Sequence, residues 1–197
     1  DDLSLLSKIS KKEIDSLNRR GLFTITQLSH KFKPQRRHKS LEQKKPHLHS
    51  LHALAIREKK VHIYNSPPIP SSATEIFLDV ESDPDREFYY LIGLKLRRDG
   101  VAENYQFWAD HPDQEEFIFR QLIEVIRPLK DFRVFHFGSF ESRFIKTLSK
   151  RLNLEEDINI QKLLNASVNI VEFTYASIYF PTYSHDLKSL AGFLGFT

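Results

Sequence analysis

In EIFLDVESDPDREFYYLIG, residues 75 to 93, the acids Asp79, Glu81, Asp83 and Asp85 stand at every second position after an apolar run. In a strand, residues two apart point to the same face, so Asp79 and Glu81 present both carboxylates together. Two acids at that spacing repel unless a cation offsets them, and hard oxygen donors suit Mg2+ or Mn2+. A calcium loop is the competing reading, because Asp79, Glu81 and Asp83 fall at loop positions one, three and five. It fails at position six, where Pro84 stands in place of Gly, and at position twelve, where Tyr90 stands in place of a bidentate Glu. Asp83 and Asp85 flank Pro84 and read as turn residues.

A further acid, Glu141, follows the apolar run of RVFHFGSFESRFI, in the first turn of the next helix. The carboxyl edge of a sheet is where α/β proteins build sites, although an acid there also simply complements the helix dipole. His136 is a candidate general base, but its place inside a strand favours a packed histidine. In PHLHSLHALAIREKKVHIY, His49 and His52 lie three apart with His47 beside them. No third ligand at i+4 and no HExxH acid accompanies them, so they read as ordinary histidines on an amphipathic helix surface.

The elements that must position these groups follow from periodicity. Leu6, Ile9, Ile14, Leu17, Leu22, Ile25 and Leu28 recur at helical spacing on either side of Gly21. This predicts a helix-hairpin-helix-like pair over 1–30, with Gly21 ending the first helix and Thr26 capping the second. KFKPQRRHKSLEQKK, residues 31 to 45, carries seven Lys or Arg against one Glu, more than the net +3 of the whole chain. The basic character is therefore one patch, within a linker and connecting helix over 31–72. NSPPIPSSAT ends that region as a boundary.

From Ala73 the pattern changes. EIFLDVE, FYYLIGLKL and VAENYQFWA read as an antiparallel meander. DQEEFIFRQLIEVIRPL reads as a helix with Phe117, Ile118, Leu122, Val125 and Ile126 on one face and Pro128 at its end. RVFHFG reads as a fourth, buried strand, and SFESRFIKTLSKRLN as a helix capped by Ser139.

The totals exclude several classes. Without cysteine the chain has neither disulfides nor thiolate metal sites. No apolar run approaches the roughly eighteen residues of a membrane span, and DDLSLLSKISKK lacks a signal pattern, which leads to the expectation of a cytoplasmic protein. Methionine is absent even at position 1, so the chain reads as a piece of something longer.

IFLDVESDPDREFYYLIGL, FHFGSFE and FPTYSHDLKSLAGFLGF together resemble the ribonuclease H-like, DEDD-type exonuclease domain of the RecB-like nuclease family, whose motifs run D-x-E, H-Y-G-S-Y-E and Y-S-x-x-L-K-x-L-A-x-x-L-G-F. The resemblance covers about residues 20 to 197 and implies an α/β, ribonuclease H-like mixed sheet flanked by helices over 73–197. It implies a metal-dependent nuclease, a 3′–5′ exonuclease on DNA working with two metal ions, with Asp79, Glu81 and Glu141 as catalytic and metal residues. Single-stranded DNA ends are the expected partner, with RNA left open, and no membrane. Lys31, Lys33, Arg36, Arg37, Lys39 and Lys188 are the expected phosphate contacts. The family's last acid lies in a helix after the LGF segment and has no match before Thr197, so the piece is expected to be weakly active at most, its parent carrying further nuclease or helicase domains. Tyr183, His185 and Asp186 do not replace it, because Asp186 stands three residues after Tyr183 rather than four, and Ser184 or Asp186 reads better as a helix cap. A non-catalytic nucleic-acid-binding arm is the alternative.

Overall fold

Leu6, Leu17, Leu22, Ile25 and Leu28 are buried together, with Ile9 and Ile14 packed beside them, as their spacing requires. Ser10 accepts the Glu13 N–H and starts α1 (Lys11–Arg19). Gly21 turns the chain at φ +75°, a conformation that side chains resist. Thr24, not Thr26, starts α2 (Ile25–Ser29), because Thr24 and Gln27 satisfy each other's backbone N–H groups in a capping box. The computed structural model describes residues 1–33 and 47–196, so Arg36, Arg37 and Lys39 lie outside the described residues. After α3 (His49–Glu58) comes the short strand β1 (His62–Ile63).

The meander follows as β2 (Thr74–Asp83), β3 (Phe88–Arg98) and β4 (Val101–Trp108). Next come α4 (Glu115–Ile126), β5 (Phe132–His136), α5 (Phe140–Arg151), α6 (Ile158–Ala166), β6 (Ser167–Asn169) and α7 (Ile170–Thr174). The chain closes with β7 (Ile178–Tyr179), antiparallel to β1, and α8 (Leu187–Phe193). Asp186 caps α8 by accepting the Ser189 N–H, as the sequence predicts. Ser139 does occupy the N-cap position of α5, but its hydroxyl makes no capping hydrogen bond.

The central sheet runs in the order β4-β3-β2-β5-β6, with β2, β5 and β6 parallel and β3 and β4 antiparallel. This is the mixed sheet flanked by helices that the resemblance implies. Alternation along β2 sends Ile76, Leu78 and Val80 into a core shared with Ile92 and Leu94 of β3 and the apolar stripes of α4, α5 and α6. Each such side chain, fully buried, stabilises the fold by about 1.5–3 kcal/mol. In α4 the inward stripe is Ile118, Phe119, Leu122, Ile123 and Ile126, whereas Phe117 is 62% exposed, contrary to the predicted face.

Two compact units result: Asp1–Pro68 with Phe173–Thr197, and Ile69–Glu172. The expected division into 1–30, 31–72 and 73–197 shares a boundary near residue 70 but assigns the last stretch differently: Phe173–Thr197 groups with the N-terminal residues.

Candidate functional site

Opposite the core face, β2 presents Phe77, Asp79 and Glu81, all exposed. Directly across from Asp79 on β3 is Gly93, where an added Cβ would sit 4.0 Å from the Asp79 Cβ. With no side chain at Gly93, the space beside the Asp79 carboxylate stays free for a ligand. Past Glu81 the β2–β3 register shifts: Glu81 pairs with Leu91 and Ser82 with Tyr89, leaving Tyr90 as the extra residue of a β-bulge. Asp83 accepts the Asp85 and Arg86 N–H groups and so belongs to the turn, as expected.

Glu141 arrives from the neighbouring strand. The last β2–β5 pair is Phe77 with Phe135, so Asp79 lies beyond the carboxyl end of β5, where α5 begins. Glu141 shares its helix stripe with Phe144, Ile145 and Leu148, all fully buried, and is itself only 5% exposed. Its Oε2 is buried without a hydrogen-bond partner among the described residues, standing 3.5 Å from His136 Nδ1. Partial burial, and after it the Glu141 charge, push the Asp79 carboxyl above its usual range. The structure therefore brings Asp79 and Glu141 into electrostatic contact.

Several residues hold these acids in place. Gly138, at φ +100°, bends the chain between β5 and α5, and its N–H donates to Asn169 Oδ1 at 3.0 Å. His136 is a buried, fully engaged histidine: Nδ1 donates to the Gly138 carbonyl at 2.9 Å, which leaves Nε2 to accept from the Ser142 hydroxyl at 3.1 Å. It has no nitrogen free to take a proton from water. On the β3 side, Glu115 is buried and accepts both the Tyr89 N–H at 2.7 Å and the Arg151 guanidinium, which fixes the backbone beside the bulge.

Glu81 shares the Asp79 face, yet Asp79, Glu81 and Glu141 do not draw their oxygens into one tight group. Among the described residues the one set of three or more whose ligand atoms all lie within 4.8 Å of one another is His47, His52 and His185. This corrects the reading of surface histidines: His52 is fully buried, and the set includes a residue 133 positions beyond it in the chain. Burial, and then the neighbouring imidazoles, lower the His47 pKa to about 3 and the His185 pKa to about 4.

Lys31, Lys33 and Lys188 are exposed. Sequence reasoning missed the basic strip along α5, where Ser142, Arg143, Lys146 and Lys150 line a shallow groove. Its i, i+3, i+4 spacing was the signal that could have shown it. Asp186 is no stand-in for a catalytic acid: the Ser184 hydroxyl, the Ser189 N–H and the Ser189 hydroxyl hold its carboxyl down at about 2.

Among the described residues no helix is long and apolar enough to cross a membrane. Compared with known proteins, a family model described as the RNase H superfamily matches residues 76–197. No curated protein and no solved structure matches the chain.

Proposed function

The chain belongs to the RNase H superfamily, whose members generally hydrolyse nucleic acids, and from that premise we propose that the edge of β2 and the start of α5 form a metal-dependent nuclease site acting as a 3′–5′ exonuclease on DNA. The observation that carries this reading is the pairing of two carboxylates, one of them buried with an orphaned oxygen, beside a strand position kept bare by Gly93. An uncompensated buried carboxylate oxygen next to a second negative charge is costly, and an oxygen-ligated divalent cation offsets both terms at once.

Asp79, Glu81 and Glu141 would hold Mg2+ or Mn2+. When bound, such ions lower the pKa of a water and offset charge on the leaving 3′ oxygen. The chain's own residues do the rest. Gly138 and Asn169 set the start of α5, and His136 is a positioning residue that ties the 136–142 turn together. Arg143, Lys146 and Lys150 offer a track for phosphates along the same helix, and Lys31, Lys33, Arg36, Arg37, Lys39 and Lys188 are proposed as further backbone contacts. A non-catalytic nucleic-acid-binding role is the second reading, favoured by the looseness of the three acids as a group.

The test is Mn2+ titration by calorimetry into residues 1–197 and into Asp79→Asn, followed by a nuclease assay on single-stranded DNA. Saturable Mn2+ binding that the substitution abolishes supports the site. Metal-dependent cleavage that Asp79→Asn abolishes would support catalysis at these acids. Equal Mn2+ binding by both forms, or none by either, would remove the acids from the mechanism and leave DNA binding by the basic strip as the function to assay.

A further inference from the structure

Three imidazoles from two distant stretches of sequence meet inside the unit built from Asp1–Pro68 and Phe173–Thr197: His47 before α3, His52 on α3, and His185 before α8. One nitrogen of each lies within 4.8 Å of those of the other two. His52 is fully buried, and its Nε2–H donates to the Thr182 carbonyl at 2.8 Å. That bond fixes the tautomer and leaves Nδ1 as a lone pair, which has no hydrogen-bond partner among the described residues. Among the described residues His47 and His185 have no partner at either ring nitrogen, although those atoms are buried. Buried polar atoms in native proteins are nearly always paired, so three converging, unpartnered imidazoles call for an occupant.

We propose that His47, His52 and His185 bind one transition-metal ion, Zn2+ by preference, at a site separate from the carboxylates of β2 and α5. Imidazole suits Zn2+ and its neighbours and does not suit Mg2+ or Ca2+, so the two sites select different ions. Nitrogens on tetrahedral Zn2+ at ~2.0–2.1 Å lie about 3.4 Å apart, so the set has to close by at most about 1.4 Å, within reach of side-chain rotation. Three protein ligands leave the fourth position to water.

The surroundings are those of a supported site. The Thr182 carbonyl orients His52 as second-sphere acceptors orient metal-bound histidines. Tyr175 stacks on His47 at 4.4 Å with 11° between the rings, and the Tyr179 hydroxyl accepts the Leu48 N–H at 3.0 Å, which holds the backbone next to His47. His49 lies outside the set, its Nδ1 taken by Glu13 at 2.8 Å. The ion would clamp the FPTYSHDLKSLAGFLGF segment, through His185, to the start of α3. It holds whether or not the carboxylate site is catalytic, since no residue is shared.

The test uses residues 1–197 stripped with chelator and titrated with Zn2+ by calorimetry and with Co2+ by visible absorption. One equivalent of Zn2+ with Kd below about 1 µM is expected, together with the intense Co2+ bands of a tetrahedral site. His185→Gln and His47→Gln, checked for native circular dichroism, should each weaken Zn2+ by at least about 100-fold, while Asp79→Asn and His49→Gln keep the equivalent. Absence of saturable Zn2+ binding by the unsubstituted chain, a weak octahedral Co2+ spectrum, or binding undiminished in both His variants would each overturn the proposal. Loss of Zn2+ in Asp79→Asn would place the ion at the carboxylates instead.

Discussion

Replacing Glu141 by Gln should make the metal-free protein more stable. Glu141 sits only 5% exposed, its Oε2 without a hydrogen-bond partner among the described residues and the Asp79 carboxylate acting on it from nearby. Gln preserves the shape, removes the charge, and can aim its NH2 at Asp79, which turns repulsion into attraction. An unsatisfied buried polar group costs about 1–3 kcal/mol. The repulsion adds less than its bare Coulomb value because Asp79 is exposed and solvent screens it. About 1–2 kcal/mol of stabilisation follows, or roughly 2–8 °C in Tm for a chain of this length. Urea unfolding and thermal scans in chelator measure it.

In Mn2+ the order should reverse. The unsubstituted chain gains RT ln(1 + [Mn2+]/Kd), about 2.7 kcal/mol at a hundredfold excess over Kd, and Glu141→Gln gains little of it. Glu141→Gln and Asp79→Asn should also be non-additive, since each relieves the same repulsion, with a coupling of at least about 0.5 kcal/mol in a double-mutant cycle. A metal-free Glu141→Gln protein less stable than its parent by 1 kcal/mol or more would refute the reasoning, because it would make the carboxylate a satisfied structural partner of His136.

Asp79 has a raised folded-state pKa, so the native chain holds its proton to higher pH than the unfolded chain does, whose value is near 3.8. Stability from this group is therefore present below that pH and lost as pH rises through the folded value. Asp79→Asn should accordingly be more stable than its parent at pH 7 by a margin that vanishes near pH 3.5, as paired urea melts across that range will show. Arg151→Ala removes one of two partners of the buried Glu115 and should cost about 1.5–3 kcal/mol, while a change within 0.5 kcal/mol would mark the pair as a surface contact. Gly138→Ala meets no neighbour within 4 Å among the described residues, so its expected cost of about 1–3 kcal/mol comes from φ +100°. The loss should appear in Tm and in Mn2+ binding together, because Gly138 sets the start of α5.

Strands β2 to β5 and helices α4 and α5 were legible because each carries its own period within a few residues. Asp79 and Glu141 could be matched from the rule that sites form at the carboxyl ends of parallel strands, and Glu141's burial was readable from its place in the stripe of Phe144, Ile145 and Leu148. Two slips were local. Thr24-x-x-Gln27 is the capping-box spacing that Thr26 lacks, and Phe119 with Ile123 completes the α4 stripe better than Phe117. The histidine cluster was not legible in the same way. His52 contacts Thr182 across 130 residues, and no local pattern encodes a meeting of that separation. The two-residue pairing of β1 with β7 is hidden for the same reason, being too short to show alternation.

The split composition of the N-terminal unit has a consequence for synthesis. Its sheet-bearing neighbour, Ile69–Glu172, is contiguous and can fold as soon as it leaves the ribosome, whereas Leu51 and Ala55 must wait for Tyr179 to complete their cluster. At about 5–20 residues per second, the first half of that unit stands for seconds with an apolar seam uncovered, longer than hairpins or helices take to form. Nascent chains stalled between Glu172 and Leu190 should therefore be the species that chaperones hold and proteases cut within residues 47–68, and release of the stall should protect that stretch in a single step.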